Sequence, residues 1–410
     1  MLFGWDHHAE GGKLMPDELS IAIVGAGIGG LCAALCLLQA GFDVHVYEQS
    51  TSFGEVGGGL QISPNASRIL HRLGLAAALS PSVVRARELH QRRWDDGRTL
   101  LRIPLGDVAE KTFGAPHFHV HRAELLAALA HALPVSRLHL GQRLAGFAPA
   151  GDRVELQFES GLRVTADVLV GADGIRSQVR QALLGADPAR FTGCVAYRGL
   201  VPAECLEDVQ LDLTMQIWLG PHRHFVHYFV ARERLLNFVA VIERGSWTGE
   251  SWMDRGNAQE LLGEFAGWHA QVRSILSQAR EPFVWALFDR PPLTRWSFGA
   301  VTLLGDACHP MLPSFGQGAA QSIEDGATLA ACLSARGGAS VSDALLRYEA
   351  LRLPRTARVQ ELSTQNRDRF QLPDGPAQRE RDARLASAGP DPAVGWLFKY
   401  DAWAAATVVE

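Results

Sequence analysis

Lysine is scarce in this 410-residue chain, which carries 39 basic and 44 acidic residues. Only Lys13, Lys111 and Lys399 are lysines, so a mechanism that depends on a lysine side chain has few positions to use. The formal net charge is −5. Binding to the phosphates of a nucleic acid or an anionic membrane needs a basic excess, so we expect neither kind of partner.

Cysteine is also sparse, with six residues in the whole chain. That number is too small for a disulfide scaffold. Cys32 and Cys36 are four residues apart in an apolar run, which predicts that both lie on one face of a helix. No C-x-x-C pair and no cysteine–histidine cluster with zinc spacing occurs. We therefore expect no metal site, and free thiols indicate the reducing cytoplasm.

The chain lacks an unbroken apolar segment of the kind that spans a membrane. Residues 21–40 carry no charge and are long enough to cross a bilayer, which needs about 20 residues. Four glycines divide this segment, so it predicts a buried strand, a turn and a helix instead. Residues 1–19 are polar, lack the apolar core of a signal peptide and are expected to form a flexible tail.

The most informative motif occupies the start of that uncharged segment. A β-branched run is followed by a G-x-G-x-x-G pattern formed by Gly25, Gly27 and Gly30. A second strand comes after the helix and ends at Glu48. In dinucleotide-binding folds the glycines let a pyrophosphate approach a helix N-terminus, and the acid accepts a hydrogen bond from a ribose hydroxyl. The motif predicts dinucleotide binding without separating FAD from NAD.

Two further segments place an aspartate after a buried strand. Asp173 follows the strand that begins at Val168, and Asp306 follows the strand that begins at Val301. Ligands of an open α/β sheet gather at the carboxyl ends of its strands, so both aspartates are candidate ligand contacts. An aspartate in this place can also cap the next helix, and the sequence leaves that alternative open for each of them.

At these segments the chain resembles the class A flavoprotein aromatic hydroxylases, the family of salicylate hydroxylase and para-hydroxybenzoate hydroxylase. The matching motifs occur in the family's order, as GAGIGG (25–30), ADGIRSQVR (172–180) and GDACHPMLPSFGQG (305–318). The resemblance implies an α/β fold. Its parts are a Rossmann-like FAD-binding domain of the GR2 type, an inserted antiparallel β-sheet substrate domain and a C-terminal helical segment.

The length of the chain allows two or three domains at roughly 100–200 residues each. The resemblance assigns residues 20–185 and 285–335 to the FAD-binding domain and residues 186–284 to the substrate domain. Residues 336–410 form a C-terminal helical region with an aromatic tail, for which the sequence offers no functional interpretation.

The resemblance also implies non-covalent FAD and a set of residues that contact it, namely Gly25, Gly27, Gly30, Glu48, Arg122, Asp173, Gly174, Asp306, Gly316, Gln317, Gly318 and Ala319. Arg122 would contact the pyrophosphate and ribityl chain, and Asp306 the ribityl hydroxyls. Asp173 and Gly174 belong to a motif linked with both FAD and the nicotinamide nucleotide. Residues 316–319 would place a helix N-terminus beside the flavin, where it stabilises the negative charge of the reduced ring. The family often has a basic residue just after the ribose-binding acid, where this chain has Gln49.

A short strand before Val230 holds the candidate catalytic residues. Period-two geometry puts His224 and Tyr228 on one face and His227 on the other. The pair matches a His-x-x-x-Tyr pair that contacts the phenolic substrate in the salicylate-type branch. A histidine can accept a phenol proton near neutral pH, so we expect His224 to act as base and Tyr228 to position the substrate.

Four other residues are expected in the substrate pocket. His227 is the rival to His224, because assigning a strand face from sequence carries a risk of register error. Pro313 and Ser314 are expected in the wall above the flavin. His309 either meets the substrate or supports the turn of the third motif.

The resemblance implies a single-component monooxygenase in which NAD(P)H reduces FAD and O2 forms a flavin C4a-hydroperoxide. The substrate would be a phenolic or hydroxylated heteroaromatic acid of the salicylate type. A larger quinone- or isoprenoid-type aromatic is the nearest alternative. A flavin-dependent halogenase would need a W-x-W-x-I-P segment, which does not occur, and a non-catalytic flavoprotein is a further alternative. We expect a small aromatic partner and a monomer or homodimer.

Overall fold

The structure is a computed structural model that describes residues 19–54, 57–246, 254–387 and 392–407. Apart from Leu19, the expected N-terminal tail lies outside the described residues.

The described strands are β1 (Ser20–Val24), β2 (Asp43–Glu48), β3 (Gly59–Ile62), β4 (Glu88–Arg93), β5 (Thr99–Pro104), β6 (Phe118–His121), β7 (Leu138–Leu140), β8 (Leu144–Ala150), β9 (Arg153–Phe158), β10 (Arg163–Ala166), β11 (Val168–Gly171), β12 (Arg190–Pro202), β13 (Met215–Gly220), β14 (Arg223–Val230), β15 (Leu235–Glu243), β16 (Asp254–Arg255), β17 (Phe283–Asp289), β18 (Ser297–Phe298) and β19 (Val301–Leu303).

The described α-helices are α1 (Ile28–Gln39), α2 (Pro64–Arg72), α3 (Ala76–Leu79), α4 (Gly106–Phe113), α5 (Arg122–Ala132), α6 (Gln178–Leu184), α7 (Ala258–Glu264), α8 (Ala270–Ser277), α9 (Gly318–Ser334), α10 (Val341–Phe370), α11 (Pro376–Ser387), α12 (Pro392–Lys399) and α13 (Ala402–Thr407). Short 3-10 turns occupy Val135–Arg137, Ala203–Leu206, Gly305–Ala307 and Pro313–Phe315.

A six-stranded sheet forms the centre of the nucleotide-binding part, in the order β18-β19-β11-β1-β2-β7. Its neighbouring strands are parallel except for the β18–β19 pair. The apolar residues of β1 and most of α1 are buried, including Cys32 and Cys36. The predicted strand, turn and helix at residues 21–40 are therefore confirmed. Within the described part of the chain, no helix is both long enough and apolar enough to span a bilayer.

An eight-stranded sheet lies over this part, in the order β16-β17-β12-β15-β14-β13-β4-β5. Its pairs are antiparallel except for β13 and β4, which run parallel. The sheet extends beyond residues 186–284, the segment expected for the substrate domain. The hairpin of β4 and β5 joins it from the first part of the chain because β4 pairs with the free edge of β13.

The two smaller sheets connect elements of the nucleotide-binding part. One has the order β10-β9-β8, and the other pairs β3 with β6. The second pair sets Gly59 opposite His121, and the Arg122 amide donates to the Gly58 carbonyl at 2.9 Å. This pairing places the start of α5 against the glycine run that precedes β3.

The C-terminal region is helical, as the pattern of residues 342–369 predicts. A capping box starts α10, in which the Ser340 hydroxyl accepts from the Asp343 amide at 3.1 Å. The Pro- and Arg-rich segment after α10 forms a further helix, α11. In the aromatic tail, Leu397 and Phe398 of α12 pack against Val359 of α10. This region therefore belongs to the body of the protein.

Candidate active site

A cavity of about 1440 Å³ lies between the six-stranded and the eight-stranded sheet. Helix N-termini and strand ends of the six-stranded sheet border it at one end, and a face of the eight-stranded sheet borders it at the other. A single-ligand pocket typically measures roughly 300–1,000 Å³. The cavity is therefore large enough for an extended cofactor and a substrate side by side.

The glycine motif forms one wall of this cavity at the N-terminus of α1. Gly25 has a φ of +108°, and a Cβ there would lie 2.4 Å from the Ala172 carbonyl oxygen. A Cβ on Gly30 would lie 2.0 Å from the Gly25 carbonyl oxygen, so both positions exclude a side chain. A Cβ on Gly27 would meet no atom within 4 Å. The backbone at Gly27 is thus open to a ligand at the positive end of the helix dipole.

A second cavity of about 420 Å³ adjoins the first, and Gly27, Ala172 and Gly174 border both. Glu48 lies in this second cavity, where its carboxylate accepts from the Ala26 amide at 2.8 Å and from the Ser50 amide at 2.9 Å. Two arginines that sequence reasoning missed, Arg143 and Arg176, also border it. They supply basic groups at the end of the site where Gln49 replaces the family's basic residue.

The two aspartates that follow strands differ in what they bind. Both oxygens of Asp173 are used at the start of α6, where they accept from the Ser177 hydroxyl at 2.5 Å and the Gln178 amide at 2.7 Å. Asp306 forms no hydrogen bond with a described residue and is open to the large cavity. The surrounding protein raises the pKa of Asp306 by desolvation, while the charge of the nearby Arg122 lowers it. The helix-cap alternative thus describes Asp173, and Asp306 is the free acceptor.

The N-terminus of α9 forms a second wall, in which Gly316, Gly318 and Ala319 border the cavity. The Gln317 side chain turns inward, donating to the Ser63 hydroxyl at 2.9 Å and accepting from the Asn65 amide at 3.2 Å. Gln317 also borders the cavity, and these two residues engage its side-chain amide.

A buried charge network joins α9 to α10. Arg355 donates to Glu324 at 2.7 Å, and Arg352 bridges Glu324 and Asp325. His309 also belongs to this network, with its Nε2 2.6 Å from Asp325. Attraction by His309 and Arg352 outweighs desolvation and lowers the pKa of Asp325 to about 2. His309 does not border the cavity, so of its two expected roles the structure shows the support of the turn.

The face of the larger sheet that borders the cavity carries His224, Val226 and Tyr228. Their neighbours across β15 are Val241, Val239 and Asn237. His227 points to the other side of the sheet, since successive strand residues alternate. Both ring nitrogens of His227 are buried without a partner among the described residues. The structure thus differs from the expectation that His227 lines the substrate pocket.

His224 is held by a residue from the C-terminal region. Gln371, which follows α10, places its amide Nε2 3.2 Å from His224 Nδ1, and the Phe370 ring packs edge-on against the imidazole. The same Gln371 amide group lies 3.5 Å from the Val241 carbonyl, and its Oε1 lies 3.5 Å from the Cys194 thiol. A carbonyl accepts and a thiol donates, so these neighbours favour Nε2 as the atom that donates to His224. The imidazole proton then lies on Nε2 of His224, which has no partner in the described part of the chain.

Burial sets the charge of both candidate catalytic groups. Desolvation lowers the pKa of His224 to about 3, so the ring is neutral at neutral pH. Desolvation raises the pKa of Tyr228 to about 12, and the positive charge of Arg198 opposes that rise. The Tyr228 ring packs against His119, with 4.3 Å between the ring centroids. Both His224 and Tyr228 are therefore neutral groups that can donate hydrogen bonds into the cavity.

Pro313 and Ser314 border the cavity between its two ends. The Ser314 hydroxyl is buried and has no hydrogen-bond partner among the described residues. The apolar part of the wall is formed by Leu89, Met215, Ile217, Val226, Val239, Val241, Trp285 and Leu287. This wall makes the substrate end of the cavity mostly apolar.

The residues at the other end fit FAD. Gly27 leaves space at a helix N-terminus, Asp306 offers a free acceptor, and Arg122 borders the same cavity. The family model described as "FAD binding domain" matches residues 18–363. The chain belongs to this FAD-binding domain family. The cofactor of this family member is FAD, and the resemblance to the flavoprotein aromatic hydroxylases is confirmed.

Relatives in the family are monooxygenases of aromatic acids. The chain is 41% identical over 385 residues to 3-amino-4-hydroxybenzoate 2-monooxygenase of Streptomyces cremeus, covering 94% of this chain and 96% of the relative. It is 38% identical over 355 residues to 6-hydroxynicotinate 3-monooxygenase of Pseudomonas fluorescens, covering 86% and 92%. A solved salicylate hydroxylase substrate complex superposes with a TM-score of 0.79 at 28% identity, covering 95% and 97%. This member of the FAD-binding domain family is a flavin-dependent monooxygenase.

Proposed function

We propose that this enzyme hydroxylates the ring of a small aromatic acid that already carries a ring hydroxyl, using NAD(P)H and O2. The observation that carries the proposal is the single cavity that joins the FAD-binding residues to a mostly apolar sheet face bearing His224 and Tyr228. The relatives act on substrates of this kind, as their names 3-amino-4-hydroxybenzoate and 6-hydroxynicotinate monooxygenase state.

FAD, when bound, supplies the redox chemistry with NAD(P)H and O2. The protein's share at this end is binding and electrostatics. Gly25, Gly27 and Gly30 would shape the turn at the pyrophosphate, and Asp306 would accept hydrogen bonds from the ribityl chain. The N-terminus of α9 would place the positive end of its dipole beside the flavin, where it would favour negative charge.

His224 holds the ring hydroxyl of the substrate in this proposal. With its proton on Nε2, the neutral ring donates a hydrogen bond to the substrate oxygen and so favours the phenolate form. The phenolate is the more electron-rich ring and the better nucleophile. Proton acceptance by His224, which the sequence predicts, would require the proton to move to Nδ1 and the Gln371 amide to turn its oxygen toward the ring.

Tyr228 binds another part of the same substrate. Four residues of extended strand separate the Cα atoms of His224 and Tyr228 by about 13–14 Å. The two side chains therefore flank a ring that lies over Val226 and do not share one substrate atom.

We also propose a cytoplasmic enzyme, since all six cysteines are free thiols and NAD(P)H is available there.

The experiment that tests the proposal measures NAD(P)H oxidation by the FAD-loaded enzyme with a panel of acids. The panel contains 3-amino-4-hydroxybenzoate, 6-hydroxynicotinate, 3-hydroxybenzoate and salicylate, and the products are identified by mass spectrometry. We expect slow oxidation without ligand, strong stimulation by at least one acid and a product that has gained one oxygen atom. Oxidation that no aromatic acid stimulates, with no oxygenated product, would overturn the proposal.

A further inference from the structure

Arg198 is a half-buried cation that borders the cavity, and no carboxylate among the described residues pairs with it. Its Nη2 donates to the Gly59 carbonyl at 2.6 Å, and its Nε is buried with no hydrogen-bond partner. Within the described ranges no Asp or Glu forms an ion pair with it. A guanidinium keeps its charge in a protein, so a full positive charge lies against the cavity wall.

Two buried arginines near the site have carboxylate partners. Arg352 and Arg355 lie under α9, and Glu324 and Asp325 neutralise them. Burying a charge without a partner is strongly unfavourable, which explains why those two arginines have acids. Buried Arg180 has no acid partner among the described residues, but the Ala307 and Ile175 carbonyls accept its hydrogen bonds. By contrast, Nε of Arg198 has no acceptor in the described part of the chain. For Arg198 the described residues supply no such acid. The missing negative charge is thus expected from a molecule that enters the cavity.

The structure holds this guanidinium in one place. A Cβ on Gly58 would lie 1.9 Å from Arg198 Nε and 2.4 Å from its Cζ, so the side chain packs directly on the Gly58 backbone. The bond to the Gly59 carbonyl holds the other side of the group. A fixed charge in a desolvated site is well suited to bind one defined anionic group.

The sheet register places this charge relative to the proposed substrate site. Arg198 of β12 pairs with Val239 of β15, and Val239 pairs with Val226 of β14. Arg198 therefore lies on the cavity face, two strands and about 9.6 Å from the strand that carries His224 and Tyr228. The charge of Arg198 also acts on Tyr228. A ring lying over Val226 can thus direct one substituent to His224 and another to Arg198.

We propose that Arg198, with Tyr228 beside it, binds the carboxylate of the aromatic acid and so selects acids over neutral phenols. This inference rests on the proposed function for the identity of the substrate. It assigns the hydroxyl of the substrate to His224 and the carboxylate to the opposite side of the ring.

The test is ligand binding to the FAD-loaded enzyme, followed by the change in flavin absorbance without NAD(P)H. The probes are 3-amino-4-hydroxybenzoate and 6-hydroxynicotinate and the carboxamide of each. We expect the wild type to prefer the acids. Arg198→Gln should weaken acid binding about 10- to 100-fold, the value of a charge-assisted hydrogen bond, and change carboxamide binding less than about threefold. Arg198→Lys, which retains the charge, should bind acids with intermediate affinity.

Arg384→Gln is the matched control, because Arg384 of α11 also borders the cavity but is exposed to solvent. It should keep the wild-type preference for acids. If Arg198→Gln still prefers the acids over the carboxamides, the inference is overturned. It is also overturned if Arg198→Gln loses FAD while the ratio of acid affinity to carboxamide affinity stays unchanged, because Arg198 would then be a cofactor contact. Because binding is read without turnover, acids that bind through Arg198 but are not hydroxylated would overturn the proposed function and not this inference.

Discussion

Gln371 Nε2 lies 3.2 Å from His224 Nδ1. This contact joins the end of the 30-residue helix α10 to β14, in the middle of the eight-stranded sheet. The contact decides which imidazole nitrogen carries the proton. Because the Gln371 amide donates to Nδ1, the ring proton lies on Nε2, and His224 presents a hydrogen-bond donor to the substrate. Gln371 is thus a positioning residue that acts through His224.

Replacing this amide by a carboxylate should reverse the tautomer. In Gln371→Glu the carboxylate accepts from Nδ1, which leaves Nε2 without a proton in the neutral ring, and it raises the pKa of His224. We expect kcat/KM to fall about tenfold at high pH and to recover as pH falls, because the doubly protonated ring again donates from Nε2. The pH profile of kcat/KM is the measurement. Gln365→Leu is the control, at a glutamine of α10 that borders the cavity, and it should follow the wild-type profile. A wild-type profile for Gln371→Glu would contradict the tautomer assignment.

His224→Ala should lower kcat/KM for hydroxylation about 10- to 100-fold, the value of a hydrogen bond to a charged oxygen, while FAD content stays at the wild-type level. The loss should persist above the pKa of the substrate hydroxyl, because the donor also stabilises the phenolate that is already formed. A loss that shrinks at high pH would identify His224 as a base instead. His227→Ala is the control on the opposite face and should leave kcat/KM within about threefold.

Asp306→Ala and Asp173→Ala should separate cofactor binding from helix capping. Removal of the free acceptor at Asp306 should weaken FAD retention by about tenfold or more, measured as the dissociation constant in reconstitution of the apoenzyme. Removal of the Asp173 cap should lower the free energy of unfolding by about 0.5–2 kcal/mol. Its effect on the FAD dissociation constant should be the smaller of the two. The opposite ranking would show that Asp173 is the stronger cofactor contact.

Acid should destabilise this protein below about pH 6.5. Desolvation lowers the pKa of His117 to about 4 and those of His224 and His227 to about 3, so these rings stay neutral in the folded state. In the unfolded chain they bind protons below pH 6.5. The free energy of unfolding should therefore fall as pH decreases from 6.5 toward 4, by up to about 1.4 kcal/mol per pH unit for each ring.

The acid effect can be assigned to one residue by removing a histidine whose nitrogens have no partner. His227→Phe should reduce the slope of unfolding free energy against pH by about one proton, as measured by urea unfolding between pH 4.5 and 7.5. An unchanged slope would show that His227 is not a neutral buried ring in the folded enzyme. The exposed His222 pairs with Glu243, and His222→Phe provides a surface control.

Local features of the chain predicted much of the fold and part of the site. The glycine spacing predicted the strand, turn and helix at residues 21–40, because steric limits on the backbone act between near neighbours. Strand alternation predicted that His224 and Tyr228 share a face and that His227 does not. The hairpin of β4 and β5 could not be assigned to the larger sheet, because it pairs with β13 across a long separation in sequence.

The sequence by itself determined the family, the cofactor and which side chains of β14 share a face, since each depends on a motif or a period within a short segment. Tertiary structure decided which of the two faces meets the cavity. It also decided the charge and tautomer of His224, the cap at Asp173, the free carboxylate at Asp306 and the uncompensated charge of Arg198. Gln371 is 147 residues from His224, so no local pattern connects them. Protonation and ion pairing depend on desolvation and on the groups that folding brings within hydrogen-bond distance.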